Sequence, residues 1–369
     1  MKDLIYKGPL NSLSFGNVSF NLLKEMYNQD MNVAIFPHGN VDVSSFGSIS
    51  KDLKQWVEKG VNDRYSMLNP DTTTLQMWHL NGSENRISKK QILYTFYELD
   101  NPTKEEKKLC EFQDKTFFSS STASTLFENS GFAPLGFDDT FYNTNKTYMQ
   151  NKIHFGIMGK FEKRKHTEKI IKTWIKKYGN NYDYQLTCCI TNPFFKKEQM
   201  EGIINNILEG KRVGNVNFLP FLPKNSQVND YLNSIDIDLG GMSGAEGWNL
   251  PSFNATCLGK WSIVLNCSAH KDWANDKNCI LIDPSGKEPV YDNIFFKEGA
   301  EFNQGNIYTF DEDEFIVVVT PVGGGRILAN YNEVHIGNGE YGLNIQMNQI
   351  NSSSVTQVTN AFSFVVYKP

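Results

Sequence analysis

The stretch Ser243-Gly244-Ala245-Glu246-Gly247-Trp248-Asn249-Leu250-Pro251 decides how the rest of this 369-residue chain is read. A short apolar run at 235–239 precedes it and reads as a strand. A helix is expected to begin at Pro251 or Ser252, because proline suits a first helical position. A loop running from a strand into a helix N-terminus leaves the amides of Gly247, Trp248, Asn249 and Leu250 without helical partners, ready to hold a phosphate. A glutamate at the same place, Glu246, can accept hydrogen bonds from sugar hydroxyls. Taken alone, the stretch reads equally well as a surface loop with a satisfied carboxylate.

Upstream, Gly159-Lys160-Phe161-Glu162-Lys163-Arg164-Lys165 occupies a similar position, after a strand at 154–158 and before a helix at 167–177. From Lys160 to Lys177 eight Lys and Arg stand against two acids. Lys169, Lys172, Lys176 and Lys177 read as a solvated helix face. Lys160 and Lys165 lie in the loop at the carboxyl end of a strand, where parallel sheets bind ligands, and are read as phosphate contacts.

The same alternation extends along the chain. Strands at 185–190, 216–219, 235–239, 262–265 and 279–282 alternate with helices at 198–208 and 226–232, and the strands are short and continuously apolar. Strands of that kind belong to a sheet covered on both faces. Near the start, a strand at 3–6, a Gly/Ser/Asn loop at 8–17, a helix at 18–27 and a strand at 33–36 repeat the βαβ pattern. The polar stretch 138–152 reads as a linker. The expected organisation is a first α/β domain over 1–150, a second, Rossmann-like one over 151–313, and a β-rich segment over 314–369. That last segment has strands expected at 315–320, 333–336, 343–347 and 362–367. From Phe315 to Pro369 only four residues are charged, where the chain average of 21% predicts roughly 12. Gly323, Gly324 and Gly325 read as a turn there.

A net charge of -5 excludes nucleic-acid binding through bulk charge, though not through a local groove. No run reaches the roughly 20 apolar residues that span a bilayer, and no leader pattern is present. Cys110, Cys188, Cys189, Cys257, Cys267 and Cys279 form no Cys-x-x-Cys pair and have no His at zinc-ligand spacing. The chain reads as a reduced, cytoplasmic protein with no disulfide and no metal.

The order Gly159-Lys160-x4-Lys165, Asp236 to Ser243, Glu246-Gly247-Trp248-Asn249-Leu250-Pro251, Ala255-x3-Gly259 and Ser262-Ile263-Val264 resembles the retaining family-four glycosyltransferases, whose GT-B fold has two facing Rossmann-like domains. The resemblance implies that Lys160, next to Gly159, and Lys165 hold the donor diphosphate. It implies that Glu246 contacts the donor sugar and that Gly247 to Leu250 give amides to phosphate. Weaker likeness runs through residues 1–313: Gly16 in the first loop would approach donor or acceptor, and His79 in Trp78-His79-Leu80-Asn81-Gly82-Ser83 would be the active-site His. Glu98 would be the acidic residue of the next strand. Two positions depart from the pattern. Asn254 stands where a second Glu contacts the ribose, and Asn249 stands where Gly is usual.

The implied activity is transfer of a hexose or pentose from a UDP- or GDP-linked donor to an acceptor hydroxyl, with retention and without a metal or other cofactor. The sequence leaves the acceptor open among a glycan, a lipid head group, a protein and a modified nucleic acid. It also leaves open oligomerisation through the C-terminal segment. A second reading, supported by Asn254 and the β-rich tail, is a lapsed member of the fold acting as a glycan-binding or scaffold protein.

Overall fold

The computed structural model describes residues 3–318 apart from 48, 147 and 150, with side chains to 315, and the backbone of three later strands. Six parallel strands form the first sheet: β1 (Asp3–Gly8), β2 (Asn32–Pro37), β3 (Thr74–Met77), β4 (Gln91–Thr95), β5 (Lys115–Phe118) and β6 (Ser130–Phe132), in the order β2-β1-β3-β4-β5-β6. Helices α1 (Ser14–Asn28), α2 (Lys51–Asn62), α3 (Lys104–Phe112) and α4 (Ser121–Ser124) connect them. The second sheet contains β7 (Ile153–Met158), β8 (Tyr184–Cys189), β9 (Val216–Phe218), β10 (Ile237–Asp238), β11 (Trp261–Leu265) and β12 (Ile280–Ile282), with α5 (Thr167–Tyr178), α6 (Lys197–Ile207), α7 (Asn225–Ser234) and α8 (Leu250–Cys257) between them. Its order, β12-β11-β10-β7-β8-β9, is that of a dinucleotide-binding sheet.

The local chemistry explains these elements. In α5, Ile170, Ile171, Trp174 and Tyr178 are buried at helical spacing against Phe155 of β7, while Lys172, Lys176 and Lys177 face out. Pro251 lies in the first turn of α8. That helix ends where Gly259 takes a left-handed φ of 77°, and the Gly259 and Lys260 amides return to Thr256 and Ala255. Strand order reverses between β1 and β3 in one sheet and between β7 and β10 in the other. At such switch points the loops leaving neighbouring strands diverge and open a crevice at the carboxyl edge. The stretches 159–165 and 243–251 emerge at the second of these crevices, after β7 and β10.

Several boundaries differ from the sequence reading. Helix α1 begins at Ser14, so Gly16 lies in its first turn rather than in a loop; a Cβ there would sit 2.2 Å from the Asn11 carbonyl. Residues 315–318 belong to a helix, α9 (Glu312–Val318), not to a strand. Farther on, β15 (Arg326–Gly337), β16 (Glu340–Asn351) and β17 (Ser354–Tyr367) pair antiparallel, and Gly323 to Gly325 lie outside the described residues. The described residues of 138–152 hold no helix or strand, and the stretch is pinned to α7: the Tyr142 and Thr144 amides donate to the Asn229 and Asn233 side chains at 3.0 and 2.9 Å.

An antiparallel hairpin that the sequence did not reveal, β13 (Gly286–Pro289) with β14 (Asn306–Thr309), docks on the first domain. Val290, Phe296 and Ile307 share a buried cluster with Tyr97, Leu99 and Phe118. Asp100 accepts from Lys287 Nζ at 2.7 Å and from the Asn306 amide at 2.8 Å. Burial raises its carboxyl pKa, but these two donors outweigh that and hold it below the usual range. Its contribution to stability is therefore present above about pH 4 and is lost as the pH falls. Asp100→Ala should cost about 1–2 kcal/mol, given its partial exposure. A thermal melt at pH 7 should show the loss, and the difference from wild type should shrink progressively as the pH falls below 4, with limited proteolysis between 290 and 305 enhanced most at neutral pH.

Candidate functional site

The site grows from the turn between β7 and α5. Gly159 has φ 147°, and Lys165 folds back over it, its Cδ 3.2 Å from where a Cβ would stand. Residues Lys163–Lys165 make one 3-10 turn that points Arg164 inward, where it is buried. Its guanidinium meets three carboxylates: Glu162 at 2.8 Å, Glu98 of the first domain at 2.9 Å, and Glu246 at 3.0 Å. It also donates to the Ala245 carbonyl at 2.7 Å. Lys165 Nζ pairs with Glu246 Oε1, and Lys160 pairs with Glu162 at 3.0 Å. Three cations and three anions thus interlock across the cleft.

The electrostatics follow from this packing. Burial would raise the Glu246 pKa, but Lys165 and Arg164 overcome it and hold the carboxyl well below the usual range, so it is charged. Glu98 has no lysine of its own, and burial pushes its carboxyl up despite Arg164. Glu162 resists burial through Arg164 and Lys160 and stays low.

The second half of the site is the loop leaving β10. Residues 241–249 are all buried. Gly244 is forced: a Cβ there would lie 2.3 Å from the Tyr308 carbonyl and 2.6 Å from the His166 ring. The Glu246 amide donates to Ser268 Oγ at 3.2 Å, and the Gly247 carbonyl accepts from Ser119 Oγ of the first domain at 2.6 Å. Gly247 touches Phe96, whose Cβ would be 2.7 Å from an added Cβ. Asn249 is left-handed, with φ 68° and ψ 61°. Among the described residues, no acceptor in the chain is found for the amides of Gly247, Trp248 or Asn249. Asn254, one turn into α8, is buried with its Oδ1 unpartnered.

Of the residues expected from sequence, the structure brings Lys160, Lys165 and Glu246 into one charge cluster, with Gly159, Gly247, Trp248, Asn249, Leu250 and Asn254 on the two loops that build it. His79 follows β3 and packs its ring on Phe15, 4.4 Å away. One face stays open to solvent, while the surrounding protein, then Lys160 and Arg164, push its pKa down to about 4, so it is neutral. Gly16 is buried against Asn11 and is not part of this cluster. Sequence reasoning missed Arg164 as a centre, since it reads as one more cation in a basic run; its partners lie 66 and 82 positions away. It also missed Ser119, Ser268 and His270, which carry no motif.

Between Glu98 and Glu246 the domains leave a cavity of about 30 Å³, also lined by Ser120, Ser268 and Tyr308, large enough for water and too small for a sugar ring. A larger cavity, about 460 Å³, lies beyond the 159–166 turn against α5, among Phe161, His166, Phe195 and Phe295. Its lysines, Lys163, Lys169 and Lys172, are outnumbered on the lining by Glu162, Glu168, Glu288, Asp292 and Glu312, so its charge does not favour a phosphate.

No protein-family model matches this sequence, and no curated protein does. Solved structures match it in fold. HepE of Anabaena, in complex with UDP and glucose, is 14% identical with a TM-score of 0.58, covering 77% of this chain and 86% of its own. Sucrose-phosphate synthase of Thermosynechococcus elongatus is 12% identical at 0.55, with shares of 77% and 86%. A glycosyltransferase of Rickettsia africae is 10% identical at 0.54, with shares of 77% and 85%. The architecture is the GT-B fold of these glycosyltransferases, two Rossmann-like domains facing across a cleft. Among the described residues no helix is long and apolar enough to cross a membrane.

Arg164→Ala should leave three clustered carboxylates without their shared cation. Breaking a buried pair costs about 3–5 kcal/mol, so the melting temperature should fall by roughly 10 °C. Lysine at 164 should recover only part of this, because it lacks the fork that reaches three partners. Asp238, at the end of β10, is buried, and burial pushes its carboxyl up to about 6. A native pKa raised above the unfolded value of 3.8 gives stability that is full below pH 4 and lost as the pH rises through 6. The unfolding free energy should therefore rise from pH 7 to pH 5 by about 1.4 kcal/mol, carrying the denaturant midpoint up with it, and Asp238→Asn should flatten that increase.

Proposed function

We propose that the protein is a retaining glycosyltransferase that takes a sugar from a UDP- or GDP-linked donor. One observation carries this reading: at the switch point of the second sheet, Lys160 and Lys165 converge with a buried helix-entry loop in which the Gly247, Trp248 and Asn249 amides have no acceptor among the described residues. Lysines and free amides are what a diphosphate needs as its charge grows on leaving. Lys160, Lys165 and the amides of Gly247 to Leu250 hold that diphosphate, and the chain uses no metal or cofactor for it. Glu246 accepts from the donor sugar, and the free Asn254 Oδ1 accepts from a ribose hydroxyl. The acceptor enters beside His79 on the first-domain wall. Its hydroxyl proton passes to the departing phosphate oxygen as the bond from the sugar carbon to that oxygen breaks and the new bond forms on the same face. UDP is the first nucleotide to test, because HepE was solved with UDP and glucose.

Calorimetry with UDP and GDP, with donor hydrolysis followed over UDP-glucose, UDP-N-acetylglucosamine and GDP-mannose, is the direct check. Lys165→Ala should weaken nucleotide binding by roughly 10–100-fold, the equivalent of about 1.4–2.8 kcal/mol. Wild-type protein that neither binds a nucleotide nor hydrolyses any donor would sink the reading. Binding without turnover would favour the lapsed, scaffold form.

A further inference from the structure

We propose that His270 is a positioning residue of the donor loop: it holds the Asn249 side chain so that a residue other than glycine can occupy the left-handed pivot where the loop enters α8. This rests on the donor-loop reading above.

The pivot is unusual. Left-handed backbone is easy for glycine and costly for most residues, with asparagine among the tolerant exceptions. Asn249 is buried, so its carboxamide must find partners inside the protein. Its Nδ2 donates to the Gly240 carbonyl at 3.0 Å and to His270 Nε2 at 3.0 Å, which uses both amide hydrogens. The orientation of the amide is settled by Gly240, whose carbonyl can only accept. The tautomer is settled in the same way. His270 Nδ1 lies 2.8 Å from the Leu265 carbonyl and must donate, so Nε2 carries the lone pair that faces Asn249. The ring is fully buried, and burial lowers its pKa, which keeps it neutral. With both nitrogens engaged and no exposed surface, His270 cannot touch a nucleotide. Its effect has to pass through Asn249.

The surrounding turn supports the same role. Residues Ser268–Asp272 form a short 3-10 helix that starts at Ser268 with φ 43°. From this turn Ser268 accepts the Glu246 amide, and Trp273 Nε1 just beyond it donates to the Trp248 carbonyl at 2.9 Å. Three contacts from one turn thus fix three positions of the loop, and His270 supplies the one at the pivot.

The test is a double-mutant cycle on His270→Ala and Asn249→Gly, read by calorimetric UDP affinity and by melting temperature. In the wild-type background His270→Ala should weaken UDP binding about tenfold or more, whereas in the Asn249→Gly background the same change should cost about twofold or less, because glycine takes the pivot unaided. Equal losses in both backgrounds would overturn the proposal, since a merely structural histidine is missed equally whatever stands at 249. Should His270→Ala not fold, His270→Gln, whose carbonyl can accept from Asn249, should lie close to wild type, and a tenfold loss there would count against the proposal. If wild-type protein binds no nucleotide, the donor-loop reading fails by itself, and the cycle is decided on melting temperature. Non-additive shifts then uphold the pivot role, and additive shifts refute it.

Discussion

A single guanidinium shared among three carboxylates sets the terms for the rest of this structure. Moving an ion of this kind out of water costs several kcal/mol, which close pairing has to offset. Arg164 draws Glu162 from its own turn, Glu246 from the loop after β10 and Glu98 from the opposite domain. The two switch-point loops of the second domain and one wall of the first are therefore held in a fixed relation by one side chain. The hairpin from β13 to β14 and the Ser121–Asp272 contact reinforce the same docking from the periphery, where the Ser121 amide donates to Asp272 at 2.9 Å.

Much of this architecture was legible because its causes are local. Buried strands of a two-faced sheet carry continuous apolar runs, and β7, β8 and β11 show them. Amphipathic helices carry the 3.6-residue period, and α5 does. Proline at 251 and glycine at 259 mark where α8 starts and stops. The hairpin was not legible. Its strands read Gly-Lys-Glu-Pro and Asn-Ile-Tyr-Thr, too short and polar to stand out, and they exist because the first domain offers Asp100 and an apolar cluster. The opening turn of α1 was hidden for a similar reason. Ser14, Gly16 and Asn17 have loop composition, yet Gly16 is needed there for close approach to Asn11.

The site divides along the same line. Lys160, Lys165 and Glu246 are legible because each sits at a fixed distance from the end of a strand, and strand ends can be read. Arg164 could not be singled out among eight cations, because its importance lies in partners from other segments. Asn249 marks the boundary between the two cases. Its departure from glycine is visible in sequence, but its compensation is not, because His270 becomes its neighbour only through the packing of β11 and the following turn.

The pairing within the cluster also bears on how a donor would be received. Lys165 and Glu246 neutralise each other, and a lysine committed to a buried carboxylate cannot leave it without exposing an unpaired charge. Arg164 lies 3.0 Å from the other oxygen of Glu246, so on the proposed reading a diphosphate that drew Lys165 toward itself would leave Glu246 still paired with one cation. Lys160 stands in the same relation to Glu162, which Arg164 also holds. The guanidinium is one charge shared by Glu98, Glu162 and Glu246, so it cannot replace both lysines at once, and on the proposed reading Lys160 and Lys165 have to bridge a diphosphate and their carboxylates together rather than abandon them.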